Sequence, residues 1–172
     1  LLRQSGHEIV SDVHEAEAII VNTCGFIEPA KEEAINTILE MAEYKKTGPC
    51  KALIVTGCLA QRYKQEIVDE IPEVDAVIGT SKYDEIFDAV DQALKGSHFL
   101  DVDDLDRLPS VPGKRILTTG GHYAHLKIAE GCDKHCTYCI IPKIRGNYRS
   151  VPMEQLLAEA ASLAEQGVKE LI

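Results

Sequence analysis

No apolar run in this chain approaches the roughly 18 residues that a membrane-spanning helix needs. The longest, Ala18–Val21 and Ala52–Val55, have the length of strands. No basic stretch followed by an apolar one opens the chain, so it carries nothing that reads as an export signal. Basic residues are scarce, with 18 Lys and Arg against 28 Asp and Glu and a formal net charge of −10 at pH 7. A protein that grips nucleic acid broadly shows a basic footprint instead; this balance suits a basic protein partner better. The sequence has no internal repeat and no low-complexity tract, which excludes solenoids.

What remains is ordinary globular composition: 172 residues, 45% hydrophobic and 27% charged, enough for one or two domains with a sizeable core. The chain begins on Leu1 and ends on Leu171-Ile172, and reads as a piece of a longer protein.

Strand-like and helix-like segments alternate. His7–Val10 and Ala18–Asn22 read as strands, and Pro29 opens a helix whose apolar stripe is Ala34, Ile35, Ile38, Leu39 and Ala42, stopped at Gly48-Pro49. Ala52–Val55 is the next strand, and a helix over about 61–70 turns Ile67 and Val68 inward. Asp75–Ile78 is strand-like. Ser81 then caps a helix to Lys95, with Ile86, Phe87, Val90 and Leu94 inward and Gly96 closing it. Such alternation implies a mostly parallel sheet covered on both faces. From Ser97 the periodicity is lost. Asp101, Asp103, Asp104, Asp106, Pro109, Pro112 and Gly120-Gly121 read as an inter-domain linker, most simply solvated, with docking of a basic partner as the alternative. A second β/α unit follows: a strand over His125–Ala129, a cysteine-rich loop, a helix over Pro152–Gln166, Gly167 as its cap, and a strand from Val168.

Six cysteines, Cys24, Cys50, Cys58, Cys132, Cys136 and Cys139, invite a disulfide reading, but a chain with a large core and no export signal points to reduced thiols used for metal or catalysis. Cys132, Cys136 and Cys139 fall in C-x₃-C-x₂-C spacing within one loop. Three thiolates on an iron–sulfur cubane leave one iron open to a substrate. A zinc site is the competing reading, with His135, His122 or His125 as a fourth ligand. The triad directly follows a strand, where α/β folds place their ligands. Cys24 and Cys58 obey the same rule: each follows a strand and touches a glycine, Gly25 or Gly57, that lets the backbone approach a bulky group. A shared metal site and two ordinary buried cysteines both account for that placement. Cys50 has no such context and reads as a bystander.

Gly131-Cys132, Cys136, Tyr138-Cys139-Ile140-Ile141-Pro142, Arg145-Gly146 and Arg149-Ser150 together resemble the signature of the radical S-adenosylmethionine methylthiotransferases. Val21-Asn22-Thr23-Cys24-Gly25-Phe26-Ile27 and Thr56-Gly57-Cys58-Leu59-Ala60-Gln61-Arg62-Tyr63 are similar to that family's N-terminal domain, so the match covers essentially the whole chain. The Ile141-Pro142-Lys143-Ile144-Arg145-Gly146 version resembles the RimO-type branch, which modifies a ribosomal protein, more than the MiaB-type branch, which modifies tRNA. Val151 departs from the Arg usual there in the RimO pattern.

The resemblance implies an α/β fold: a parallel-sheet, three-layer methylthiotransferase domain over 1–97 lacking its first strand, a linker over 98–121, and over 122–172 the first β/α units of a partial TIM-type barrel. It implies two 4Fe–4S clusters and S-adenosyl-L-methionine. Cys132, Cys136 and Cys139 would hold the radical cluster, while Cys24 and Cys58 would hold the second, whose third family ligand lies on a strand before the segment starting at Leu1. Tyr138 would lie near the adenine; a core aromatic is its plainer reading. The implied activity is a radical sulfur transfer that adds a methylthio group to the β-carbon of an aspartate in ribosomal protein S-twelve of the small subunit, with this fragment inactive alone. Its electron donor would be a flavodoxin or ferredoxin and its place the cytoplasm, with no membrane partner and tRNA disfavoured as substrate.

Overall fold

In the computed structural model, which describes residues 1–102, 105–108, 115–117 and 121–172, four strands form one parallel sheet. They are β1 (Ala18–Thr23), β2 (Ala52–Gly57), β3 (Ala76–Ile78) and β4 (Phe99–Asp101), paired in that order. Alternate side chains leave opposite faces of a strand, and here both faces are covered. Leu53, Val55 and Val77 pack on one side with Ala34, Ile38 and Ala42 of α1 (Glu28–Thr47) and Leu59 and Ile67 of α2 (Cys58–Glu70). Ala52, Ile54, Ala76 and Ile78 pack on the other with Ala89, Val90 and Ala93 of α3 (Ile86–Leu94). The result is the expected three-layer α/β arrangement. Burying a side chain the size of Ile38, which is fully enclosed, contributes about 1.5–3 kcal/mol.

Several elements differ from the sequence-based expectation. His7–Val10 is not a strand: it runs unpaired, with Ile9 and Val10 exposed, across a groove of about 650 Å³ from β1. Apolar pattern alone does not make a strand without a neighbouring edge to bond, and among the described residues β1 pairs only with β2. On α1 only the fourfold stripe Ala34, Ile38 and Ala42 is buried; Ile35 and Leu39 face outward, because a helix lying on a sheet covers a narrow stripe. α2 starts three residues earlier than expected and kinks at Lys64 (φ 34°, ψ −108°). A 3₁₀ turn, Tyr83–Glu85, stands before α3 where a Ser81 cap was expected. The sheet takes its fourth strand from the start of the segment read as linker. Asp103, Asp104, Pro109, Pro112 and Gly120 lie outside the described residues.

The second unit is smaller. The strand expected over His125–Ala129 is split: β5 (Tyr123–Ala124) pairs in parallel with β8 (Glu170–Leu171), and β6 (Ala129–Glu130) pairs antiparallel with β7 (Arg149–Ser150). Between them lie α4 (Ile141–Arg145) and α5 (Met153–Glu165), the latter followed by Gly167 at φ 92°. Ala124, Leu163 and Val168 form its core. No helix among the described residues is long and apolar enough to cross a membrane.

Polar contacts tie the connector to the first unit, and one buried hydroxyl joins the first unit to the second. The Gln61 side chain donates to the Val102 carbonyl and accepts from the Thr80 amide at 3.0 Å. The Thr80 hydroxyl donates to the Ile144 carbonyl at 2.8 Å. Arg107 grips both oxygens of Asp84, at 2.6 and 2.8 Å.

Candidate metal centre

Two rims carry the thiols. At the first, the parallel register sets Thr23 opposite Gly57, so the residues after each strand end, Cys24 and Cys58, stand on the same edge of the sheet. Gly57 is what permits this closeness. Its backbone, at φ 98° and ψ −159°, lies where only glycine is comfortable, and a Cβ there would fall on the Thr23 carbonyl oxygen and within 2.7 Å of Asn22 Oδ1. Gly25 answers from the other side, where a Cβ would stand 2.9 Å from the Leu59 nitrogen and 3.0 Å from the Cys58 carbonyl carbon. The Thr23 hydroxyl donates to the Thr56 carbonyl at 2.6 Å. Arg62 donates to the Gly25 carbonyl at 3.2 Å while its guanidinium stacks 5.1 Å from the Tyr63 ring. Cys58 is buried and Cys24 exposed, so the pair is not two ordinary core cysteines. Arg62 received no role from sequence; its position four residues after Cys58, one turn along a helix, was the available signal.

The second rim is the loop from Gly131 to Ile140. Gly131, at φ 76°, lies so close to the Asn147 carbonyl that a Cβ would overlap it. The Cys132 amide donates to the Gly146 carbonyl at 3.1 Å, the Tyr148 amide to Asp133 Oδ1 at 2.7 Å, and the Cys139 amide to the Cys136 carbonyl at 2.9 Å. Glu130 stands between Lys127 and Arg145 beside the loop. From Lys127 to Arg149 five Lys and Arg stand against Glu130 and Asp133, so this wider stretch is locally basic. Cys132 and Cys139 are half-buried and Cys136 is exposed; none of the six cysteines is paired in a disulfide.

Among the described residues no three His, Cys, Asp or Glu side chains close on the position of a single metal ion. His122 and His125 instead make edge contacts with Tyr123, and His135 sits at a positive φ of 47° within the loop. A cubane asks for something else. Each thiolate binds a different iron, so the donors stand apart at its corners rather than converging on one point. Three free thiols, one exposed and two half-buried, on a loop pinned at Cys132 to the Gly146 carbonyl suit that demand. Tyr138 is 90% exposed, which removes the core-aromatic reading. Cys50 is 4% exposed; its thiol donates to the Ala52 carbonyl, and burial pushes its pKa up. It is a packed core residue.

The acidic connector is not merely solvated. Asp101 pairs with Lys82 at 3.0 Å, and Asp106 accepts from Asn147 and Arg149.

The chain is similar to known proteins along its whole length. The model of a family described as Uncharacterized protein family UPF0004 matches residues 1–79, and that of the Radical SAM superfamily matches residues 126–172. Curated relatives include "Ribosomal protein uS12 methylthiotransferase RimO" of Lachnoclostridium phytofermentans, 63% identical over all 172 residues. Proteins of the same name from Acetivibrio thermocellus and Clostridioides difficile are 53% and 49% identical, also over the whole chain. The chain spans 39% of the length of each of these relatives.

Proposed function

We propose that this chain, similar over its whole length to RimO-type radical S-adenosylmethionine methylthiotransferases, belongs to that family and is the cluster-binding part of an enzyme that adds a methylthio group to the β-carbon of an aspartate in ribosomal protein uS12. The observation that carries this reading is the loop of three free thiols, Cys132, Cys136 and Cys139, at the end of a strand. These three would hold one 4Fe–4S cluster, and Cys24 and Cys58 would contribute two ligands to a second. When bound, the first cluster would supply the electron for reductive cleavage of S-adenosylmethionine.

The chain's own residues prepare that chemistry. Gly131 and Gly146 let the Cys132 backbone close against the 146–147 turn. Exposed Tyr138 offers a flat apolar face beside the thiols, the kind of surface an adenine stacks on. Gly57 and Gly25 bring the Cys24 and Cys58 backbones together. A net charge of −10 steers a basic ribosomal protein and repels tRNA. A flavodoxin or ferredoxin would supply electrons, and the reduced thiols suit the cytoplasm.

The test offers the complete enzyme uS12 and tRNA under anaerobic reducing conditions, with mass spectrometry of both. A methylthio group on a uS12 aspartate supports the reading. Methylthio-adenosine in tRNA with unmodified uS12 defeats the substrate assignment, and zinc uptake without any S-adenosylmethionine cleavage defeats the enzyme assignment.

A further inference from the structure

The turn on which the three-cysteine loop rests is itself held from behind by a residue of the acidic connector. Asp106 Oδ1 accepts from the Asn147 amide at 3.1 Å and from Asn147 Nδ2 at 3.2 Å, and Oδ2 accepts from the same Nδ2 at 3.1 Å. Oδ1 also faces Arg149 Nη1 at 3.4 Å. On the opposite side of the same turn, the Gly146 carbonyl receives the Cys132 amide and the Asn147 carbonyl abuts Gly131. A Cβ on Gly146 would meet the Leu105 carbonyl at 2.8 Å and Asp106 Oδ1 at 3.0 Å, so connector, turn and loop are stacked with no room between them. Arg149 completes the brace, donating to the Asn147 and Arg145 carbonyls with its side chain only 13% exposed. Arg107, the next residue, anchors the connector to Asp84 on the first unit, so the brace has a fixed base.

We propose that Asp106 is a positioning residue for the three-cysteine loop. Its carboxylate fixes the 146–149 turn, and that turn fixes the backbone of Gly131 and Cys132. The inference rests on the reading of Cys132, Cys136 and Cys139 as cluster ligands, but its first test does not. A carboxylate accepting several hydrogen bonds from amides and a guanidinium holds them more tightly than a neutral acceptor does. Asp106→Ala removes every one of these bonds, and Asp106→Asn keeps the shape while losing the charge.

Hydrogen exchange on the metal-free chain reads the brace directly. In Asp106→Ala the amides of Asn147 and Cys132 should exchange on the order of tenfold faster, with β2 unchanged and the alkylation rate of buried Cys50 unchanged. Asn147→Ala, which loses the side-chain half of the contact, should show the same pattern more weakly, and Asp106→Glu should restore part of the protection. The second readout is spectroscopic. After anaerobic loading with ferrous iron and sulfide in a Cys24→Ala, Cys58→Ala background, the reduced Asp106→Ala protein should give a broadened cluster electron paramagnetic resonance signal. Unchanged exchange at Cys132 in both Asp106→Ala and Asn147→Ala overturns the proposal. So does faster alkylation of Cys50, which would make Asp106 a general stabiliser. Faster exchange at Cys132 with an unaltered cluster signal also overturns it, because the loop would then not need the brace to shape its site. A background protein that binds no iron, with the exchange pattern as expected, would count against the cluster reading and leave the brace standing.

Discussion

Gly57→Ala is the substitution whose cost the structure specifies most fully. Two effects act on it. The backbone at φ 98° and ψ −159° lies in a region nearly closed to other residues, a strain of about 1–3 kcal/mol. The added methyl also meets the Thr23 carbonyl, the Thr23 nitrogen at 2.9 Å and Asn22 Oδ1 at 2.7 Å. Backbone atoms of a central sheet yield poorly, and overpacking of this kind costs about 1–3 kcal/mol. The loss of unfolded-state freedom returns only about 0.4–1 kcal/mol. The net loss should be about 2–5 kcal/mol, a large part of the about 5–15 kcal/mol that holds a domain folded. Gly96 isolates the first effect: it also has a positive φ, 77°, yet a Cβ there would meet nothing within 4 Å. Gly96→Ala should therefore cost only about 1–2 kcal/mol. Urea unfolding followed by far-ultraviolet circular dichroism compares the two variants with the parent. A Gly57→Ala protein no less stable than Gly96→Ala would refute the claim that Thr23 and Gly57 are in contact across the rim, and with it the juxtaposition of Cys24 and Cys58.

Thr80→Val leaves the Ile144 carbonyl without its buried donor and should cost about 1–3 kcal/mol, with Thr80→Ser restoring much of it; equal losses for both in urea unfolding would show the methyl, not the hydroxyl, to matter. Cys132→Ala, Cys136→Ala and Cys139→Ala in the complete protein should each abolish cleavage of S-adenosylmethionine, whereas Cys24→Ala or Cys58→Ala should spare cleavage and stop sulfur insertion. Cys50→Ala should alter neither, and iron loss on that change would make a ligand of a residue assigned here to the core. The Glu85 carboxyl titrates above its ordinary value of 4.5, chiefly through a hydrogen bond shared with Asp101 and partial burial, with Lys82 opposing. The folded chain thus keeps a proton that the unfolded chain has released, so stability should fall as pH rises from about 4.5 through the raised value. Glu85→Gln should flatten that stretch of a stability-against-pH curve, and an unchanged slope would show that Glu85 does not titrate differently on folding.

The strands β1 and β2 were legible because a sheet covered on both faces demands continuous apolar runs, and Ala18–Val21 and Ala52–Val55 are such runs. His7–Val10 misled for the complementary reason. It has strand-like residues, but strand formation depends on a partner edge, which is not written in the segment itself. Phe99–Asp101 shows the reverse case: acidic residues around it disguised a strand that the β3 edge recruits, with Asp101 neutralised by Lys82. Ile35 and Leu39 satisfied the helical period yet face outward, since periodicity gives a helix's apolar side but not how wide a stripe its neighbour covers.

Site residues were readable to the extent that chemistry is local. A C-x₃-C-x₂-C loop announces itself because its three thiols lie within one short segment, and Cys24 and Cys58 because each follows its own strand. Supporting residues do not share that property. Asp106 reaches Asn147 across 41 positions, and Thr80 reaches Ile144 across 64. Each looks unremarkable in its own segment, one an acid among acids and the other a hydroxyl in a turn. What distinguishes them is the partner's backbone, which only the fold supplies. The two glycines Gly131 and Gly146 form the bridge between these levels. Their presence beside the cysteines is visible in sequence, but the reason for it is the tight stacking of connector, turn and loop. The Cys132 backbone is therefore held by distant polar contacts acting through glycine-permitted close approaches, and changes to those contacts should register there before they register in the core.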